Sequence, residues 1–163
     1  MSISRGPVRR DREPATSVHD TNRIPENRMR FMIIGKATKE TEAGIMPKPE
    51  AFAAMQQYHE QLVSSGILLA AEGLAATSKG ALVKFDGDQR TVIDGPFAES
   101  KEVIAGFTII QVNSLEEAIE WVKRAPNTAA NGVAEVEIRK LMDIEDFGED
   151  FTPNEEIAKV KYQ

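Results

Sequence analysis

Cysteine is absent from this 163-residue chain, which excludes disulfide scaffolds, thiolate nucleophiles and zinc–thiolate sites. Histidine is nearly absent too. His19 and His59 are the two present, and His19 lies in a charged N-terminal stretch, so one chain cannot build a multi-histidine metal centre. A mixed site of His59 with Glu72, Asp94 or Glu99 has no supporting spacing. No apolar run approaches the ~20 residues that cross a bilayer, and no apolar core of a secretory signal is visible. The glycines of AAEGLAATSKGA lack the spacing and the Lys-Ser/Thr pair of a phosphate loop, and no serine occupies a G-x-S-x-G elbow. These absences leave the expectation of a cytoplasmic protein that uses no metal and no cofactor and does not enter a membrane.

Clustered positive charge is also missing from the body. Net charge is −6, but residues 1–28 hold six arginines against four acids, which leaves 14 basic and 22 acidic residues beyond. An acidic body excludes direct nucleic-acid binding as the main role, because phosphates need grouped Lys and Arg. Residues 1–28 contain too few apolar side chains to offset the entropy of ordering and read as a disordered extension. Residues 29–142 carry the alternating apolar patterns of one folded domain. Residues 143–163 form an acidic tail, seven acids against two lysines, which is either solvated or an arm pinned on the body or a partner by Phe147, Phe151 and Ile157.

Within the domain, the apolar run 31–34 predicts a buried strand. The two prolines of TEAGIMPKP then lead into a helix over 50–65, stopped by Gly66. Residues 67–71 read as a second strand, and 81–85 with 90–93 flank Asp86-Gly87-Asp88 as a hairpin. Residues 104–112 form a strong central strand. Ser114 and Glu117 have the capping-box spacing for a helix that ends before Pro126. Residues 133–141 alternate as the last strand. The order β-α-β-(β-β)-β-α-β is a split βαβ arrangement with an added hairpin, an α+β sandwich with both helices on one face of the sheet. Phe107-Thr108-Ile109-Ile110 is apolar at both parities, so the other face also needs cover. A second copy of the chain is the expected cover, giving a homodimer packed sheet to sheet.

Two places can carry chemistry. Phe52, Met55, Leu62 and Val63 fall on one helical stripe expected to face the sheet, with His59 inside it and Tyr58 at its edge. A histidine there is either a core residue bonded to a carbonyl or a cleft-lining acid or base tuned by a carboxylate. The second place is VIDGPFAESKEVIAGF, residues 92–107. Asp94 can close an Asx-turn, Gly95 and Pro96 fix the bend, and Phe97 pins it to the body. Residues 98–102 have the makeup of one helical turn. Glu99, Lys101 and Glu102 there offer ionic groups for a cleft rim.

DGPFAESKE, residues 94–102, resembles the DGPFAETKE signature of the YCII-related (DGPF-domain) family, with Ser100 in place of Thr. MRFMIIGKATKETEAG at 29–44, GILLAAEGL at 66–74, IAGFTIIQVNSLEEAIEWVKRAP at 104–126 and EVEIRKL at 135–141 agree with it. The resemblance implies a ferredoxin-like α+β fold that dimerises into a dimeric α/β barrel. It implies two kinds of role. One is a small-molecule-binding or regulatory module associated with a sigma factor. The other is a lyase or isomerase acting on a small ligand, with Asp94 at the signature aspartate and His59 in the helix that carries the wider group's histidine. On the first reading Tyr58, Phe97, Glu99, Lys101 and Glu102 line the ligand site.

Overall fold

The computed structural model describes residues 28–97 and 103–148. The extension up to residue 27, the turn at 98–102 with Glu99, Lys101 and Glu102, and the tail from residue 149 lie outside the described residues.

Strands come from the apolar runs and helices from the 3.6-residue patterns. They are β1 (Met29–Lys36), α1 (Lys39–Glu42), α2 (Pro49–Ser64), β2 (Leu68–Gly73), β3 (Ala81–Asp86), β4 (Gln89–Asp94), β5 (Ile104–Val112), α3 (Leu115–Val122) and β6 (Val136–Lys140). Short 3₁₀ turns stand at Thr77–Lys79 and Ile144–Phe147. Helix α1, absent from the sequence expectations, begins at Thr38. The Thr38 side chain accepts from the Thr41 N–H, and the Thr41 hydroxyl accepts from the Thr38 N–H at 2.8 Å. Pro49 occupies the first turn of α2, where a missing N–H costs nothing. Gly66, at φ 66°, ends that helix. Ser114 caps α3 by accepting from the Glu117 N–H, and the Glu117 carboxylate reaches back to the Asn113 N–H at 2.9 Å.

The main sheet runs in the order β2-β5-β1-β6 with every neighbouring pair antiparallel, and β3 and β4 form a separate two-stranded sheet. The fold is therefore α+β, built on antiparallel sheets. Phe31 stands opposite Ile110 across β1 and β5. Both join Tyr58, Leu62, Ile67, Val112 and Ala118 in the core between sheet and helices. Leu62, Ile110 and Val112 are fully buried, each contributing about 1.5–3 kcal/mol by leaving water. One residue along each strand, Met32 stands opposite Ile109. Side chains alternate between faces, so Met32, Ile34, Phe107 and Ile109 belong to the reverse face. Ile109 is buried and the other three are half-buried.

The exit from the domain lies against its entrance. The Leu141 N–H donates to the Arg30 carbonyl at 2.8 Å, and the Arg30 guanidinium holds Asp143 at 2.8 Å. Lys140 pairs with Asp146 at 3.1 Å.

The buried face of α2 differs from the expected stripe. Tyr58 and Leu62 are the buried residues, while Phe52 and Val63 are 61% and 62% exposed. At about 100° per residue, Tyr58 and Met55 fall within ~40° of Leu62, whereas Phe52 and Val63 fall ~80–100° around the helix. Tyr58, expected at the edge, is the core residue. Its hydroxyl donates to the Trp121 carbonyl at 3.1 Å and ties α2 to α3.

Burial pushes the Tyr58 phenol above its ordinary value, partly offset by the Arg124 charge. The unfolded chain releases this proton near pH 10, before the folded chain does. Stability is therefore unaffected below that value and falls as pH rises past it. Tyr58→Phe should cost about 1 kcal/mol at neutral pH through the lost hydrogen bond. In urea titrations at pH 7 and 10.5 the gap from the parent should narrow at the higher pH; a constant gap would count against this account.

Candidate functional site

The signature turn is held from behind by one threonine. Thr77, 7% exposed, opens the 3₁₀ turn that precedes β3. Its hydroxyl donates to the Glu42 carboxylate at 2.5 Å and accepts from the Phe97 N–H at 3.2 Å. The Thr77 N–H also points at that carboxylate, 3.3 Å from each oxygen. Glu42 at the end of α1, Thr77, and Phe97 after β4 are thus joined at one point. A buried hydroxyl that both donates and accepts is well satisfied, and losing either partner leaves a buried polar group unpaired.

Gly95 completes the attachment. Its N–H donates to the Gly80 carbonyl at 3.0 Å, closing the base of the hairpin. A Cβ at this position would stand 1.8 Å from the Thr77 carbonyl oxygen, so only glycine fits. The Gly95-Pro96 peptide bond is cis. Phe97 is half-buried, with its ring edge 3.8 Å from where a Gly80 Cβ would stand. The Asx-turn expected of Asp94 is not formed within the described residues, because the residue two positions on is Pro96, which has no N–H to give. Asp94 is the last residue of β4, opposite Ala81, and is exposed.

His59 sits elsewhere, on the flank of α2. It lines a groove of about 460 Å³ with Phe52, Met55, Gln56, Glu60 and Val63. The wall is mainly apolar, with the half-buried His59 imidazole and the side chains of Gln56, Glu60 and Ser64 as its polar groups. The Tyr58 ring lies 6.0 Å away, centre to centre, tilted by 40°. A second groove, of about 570 Å³, opens where α2 and α3 end, beside Gln57, Gln61, Trp121 and Arg124. Arg124 lies over the Trp121 ring at 4.4 Å.

Among the described residues, no hydrogen bond or ion pair joins His59 to Asp94. The structure brings Phe97 together with Glu42 and Thr77, neither of which the sequence singles out. One local signal exists, the Thr38-x-x-Thr41 spacing of a helix start, which places Glu42 in a defined turn rather than a loop. Nothing marks Thr77 in advance, because its partners lie 35 and 20 residues away.

The steric argument gives a paired test. Gly95→Ala should lower stability by about 1–3 kcal/mol, since the clash is with backbone. Gly80→Ala adds a Cβ in ordinary contact, 3.7 Å from its nearest neighbour, and should be close to neutral. Equal midpoints for the two variants in urea would show that the contact at Gly95 is not limiting.

The profile of the YCII-related domain family matches residues 29–142. An uncharacterised protein of Rhizobium meliloti is 34% identical over 79 residues, which is 48% of this chain. That match spans 63% of the relative, less than two thirds of its length. No helix among the described residues is long and apolar enough to cross a membrane. With the profile covering the whole main sheet, helices α2 and α3 and the full signature at 94–102, the chain belongs to the YCII-related domain family.

Proposed function

We propose that this protein is a homodimeric cytoplasmic module that binds a small molecule and acts in regulation rather than catalysis. The observation that carries this reading is the groove beside His59. An apolar wall from Phe52, Met55 and Val63, edged by His59, Gln56, Glu60 and Ser64, suits a small aromatic or aliphatic body bearing a polar group that the imidazole can bond. Proton-transfer catalysis needs the imidazole oriented by a partner. The His–Asp pair of a lyase or isomerase has no hydrogen bond in its support, and the binding reading is preferred for that reason.

The antiparallel strand order β2-β5-β1-β6 supports reading the domain as a ferredoxin-like split βαβ unit. We take the homodimer to form on the reverse face, around Met32, Ile34, Phe107 and Ile109, closing two sheets into a dimeric α/β barrel. The regulatory partner implied by the family resemblance is an extracytoplasmic-function sigma factor.

The binding reading is checked with benzoate and salicylate as probes. Titration of either should move the His59 ring resonances in the NMR spectrum and raise the melting temperature, and both effects should vanish in His59→Ala. That variant should melt within about 1 °C of the parent, as a half-buried groove residue rather than a core one would. A drop of several degrees with no ligand shift would identify His59 as structural.

A further inference from the structure

Every residue of the hairpin β3–β4 is exposed, yet Leu82, Val83, Phe85, Val92 and Ile93 are apolar and occupy both of its faces. Two strands alone are marginally stable in water, and an uncovered apolar edge strand is a template for another chain. The register shows which backbone groups of this edge are available. The Gly95 N–H bonds to the Gly80 carbonyl, so Leu82/Ile93, Lys84/Thr91 and Asp86/Gln89 are the hydrogen-bonded pairs. The intervening pairs, Ala81/Asp94, Val83/Val92 and Phe85/Arg90, turn their N–H and C=O groups away from each other. On β4, the outward groups therefore belong to Arg90, Val92 and Asp94.

We infer that β4 pairs antiparallel with β4 of a second copy about a two-fold axis at Val92. In that register Arg90 of each copy stands opposite Asp94 of the other, and Val92 faces its own symmetry mate. The three outward residues of each edge then meet in hydrogen-bonded pairs. A row Val83–Val92–Val92–Val83 runs straight across the four strands of the joined hairpins, each valine beside another on the same face. Charge selects this register over its neighbours. A two-fold at Arg90 or at Asp94 sets like charges face to face, and one at Thr91 sets Asp88 against Asp94. One at Ile93 sets Arg90 against Pro96, which has no N–H to give. The other free edge, β3, offers Ala81, Val83 and Phe85 with no charge to fix a register. The occupant is thus a second copy of this chain, recognised by an edge that complements itself. This contact is separate from the reverse-face dimer and stands or falls independently of it.

Amide hydrogen exchange on the full chain reads the contact directly. At concentrations where sedimentation shows an oligomer, the amides of Arg90, Val92 and Asp94 should exchange slowly, and dilution should speed all three together. Arg90→Asp and Asp94→Arg should each weaken the association by about tenfold, and the double reversal should recover it, because opposite charges again face each other. Fast exchange at the three positions in an intact oligomer would overturn the proposal while leaving the reverse-face dimer standing. Slow exchange at Ala81, Val83 and Phe85 instead would assign the contact to β3 and overturn it equally. Double reversal that fails to recover what both single variants lose would rule out the Val92 register.

Discussion

The position of the signature turn rests on the hydroxyl of Thr77. Among the described residues it is the one group hydrogen-bonded both to α1, through Glu42, and to the chain leaving β4, through Phe97. Among the described residues no backbone ladder joins the hairpin to the main sheet, and the Gly95–Gly80 bond closes the hairpin's own base. Direction in space for the arm from Ala81 to Asp94 is therefore set at one buried point, where a carboxylate receives two donors from the same residue. The family signature is best understood from this side. Asp-Gly-Pro-Phe is less a display of reactive groups than a backbone shape, with a glycine that cannot carry a side chain and an N–H delivered to threonine.

The main sheet imposes the second constraint. β5 is central, flanked by β2 and β1, and its apolar residues serve two faces at once. Ile110 completes the helix-side core while its neighbour Ile109 is buried on the reverse side. Helix α2 answers the same core with Tyr58 and Leu62, and this choice of face leaves Phe52, His59 and Val63 beside the core rather than in it. The groove at His59 is a by-product of that rotation. Had Phe52 and Val63 packed inward, Tyr58 would have turned to solvent and lost the Trp121 carbonyl that joins the two helices.

Much of this architecture was legible in the residues. β5 spans residues 104–112 as its apolar run predicts, α2 lies within a residue of its expected bounds at each end, and the Asp-Gly-Asp hairpin closes where expected. These signals are local: a period, a proline at a helix start, a glycine at a helix end. The rotation of α2 was not legible, because apolar residues occur on two flanks and only contact with α3 decides between them. Tyr58 is the deciding residue, amphipathic by type and committed to the core by one carbonyl 63 positions away. At the site, Phe97 could be read as an anchor from its place after Asp-Gly-Pro. Its partner could not, since a hydrogen bond between residues 77 and 97 leaves no trace in either neighbourhood.

The clasp between Arg30 and the segment after β6 has a consequence for how the domain is joined to the rest of its chain. Because Leu141 bonds to Arg30 and Asp143 pairs with it, the polypeptide enters and leaves the sheet at a single corner. Arg30 and Asp143 are thus held side by side, although 113 positions separate them along the chain. The first strand and the last strand are neighbours there, so an opening of this corner would loosen the start and the finish of the domain together.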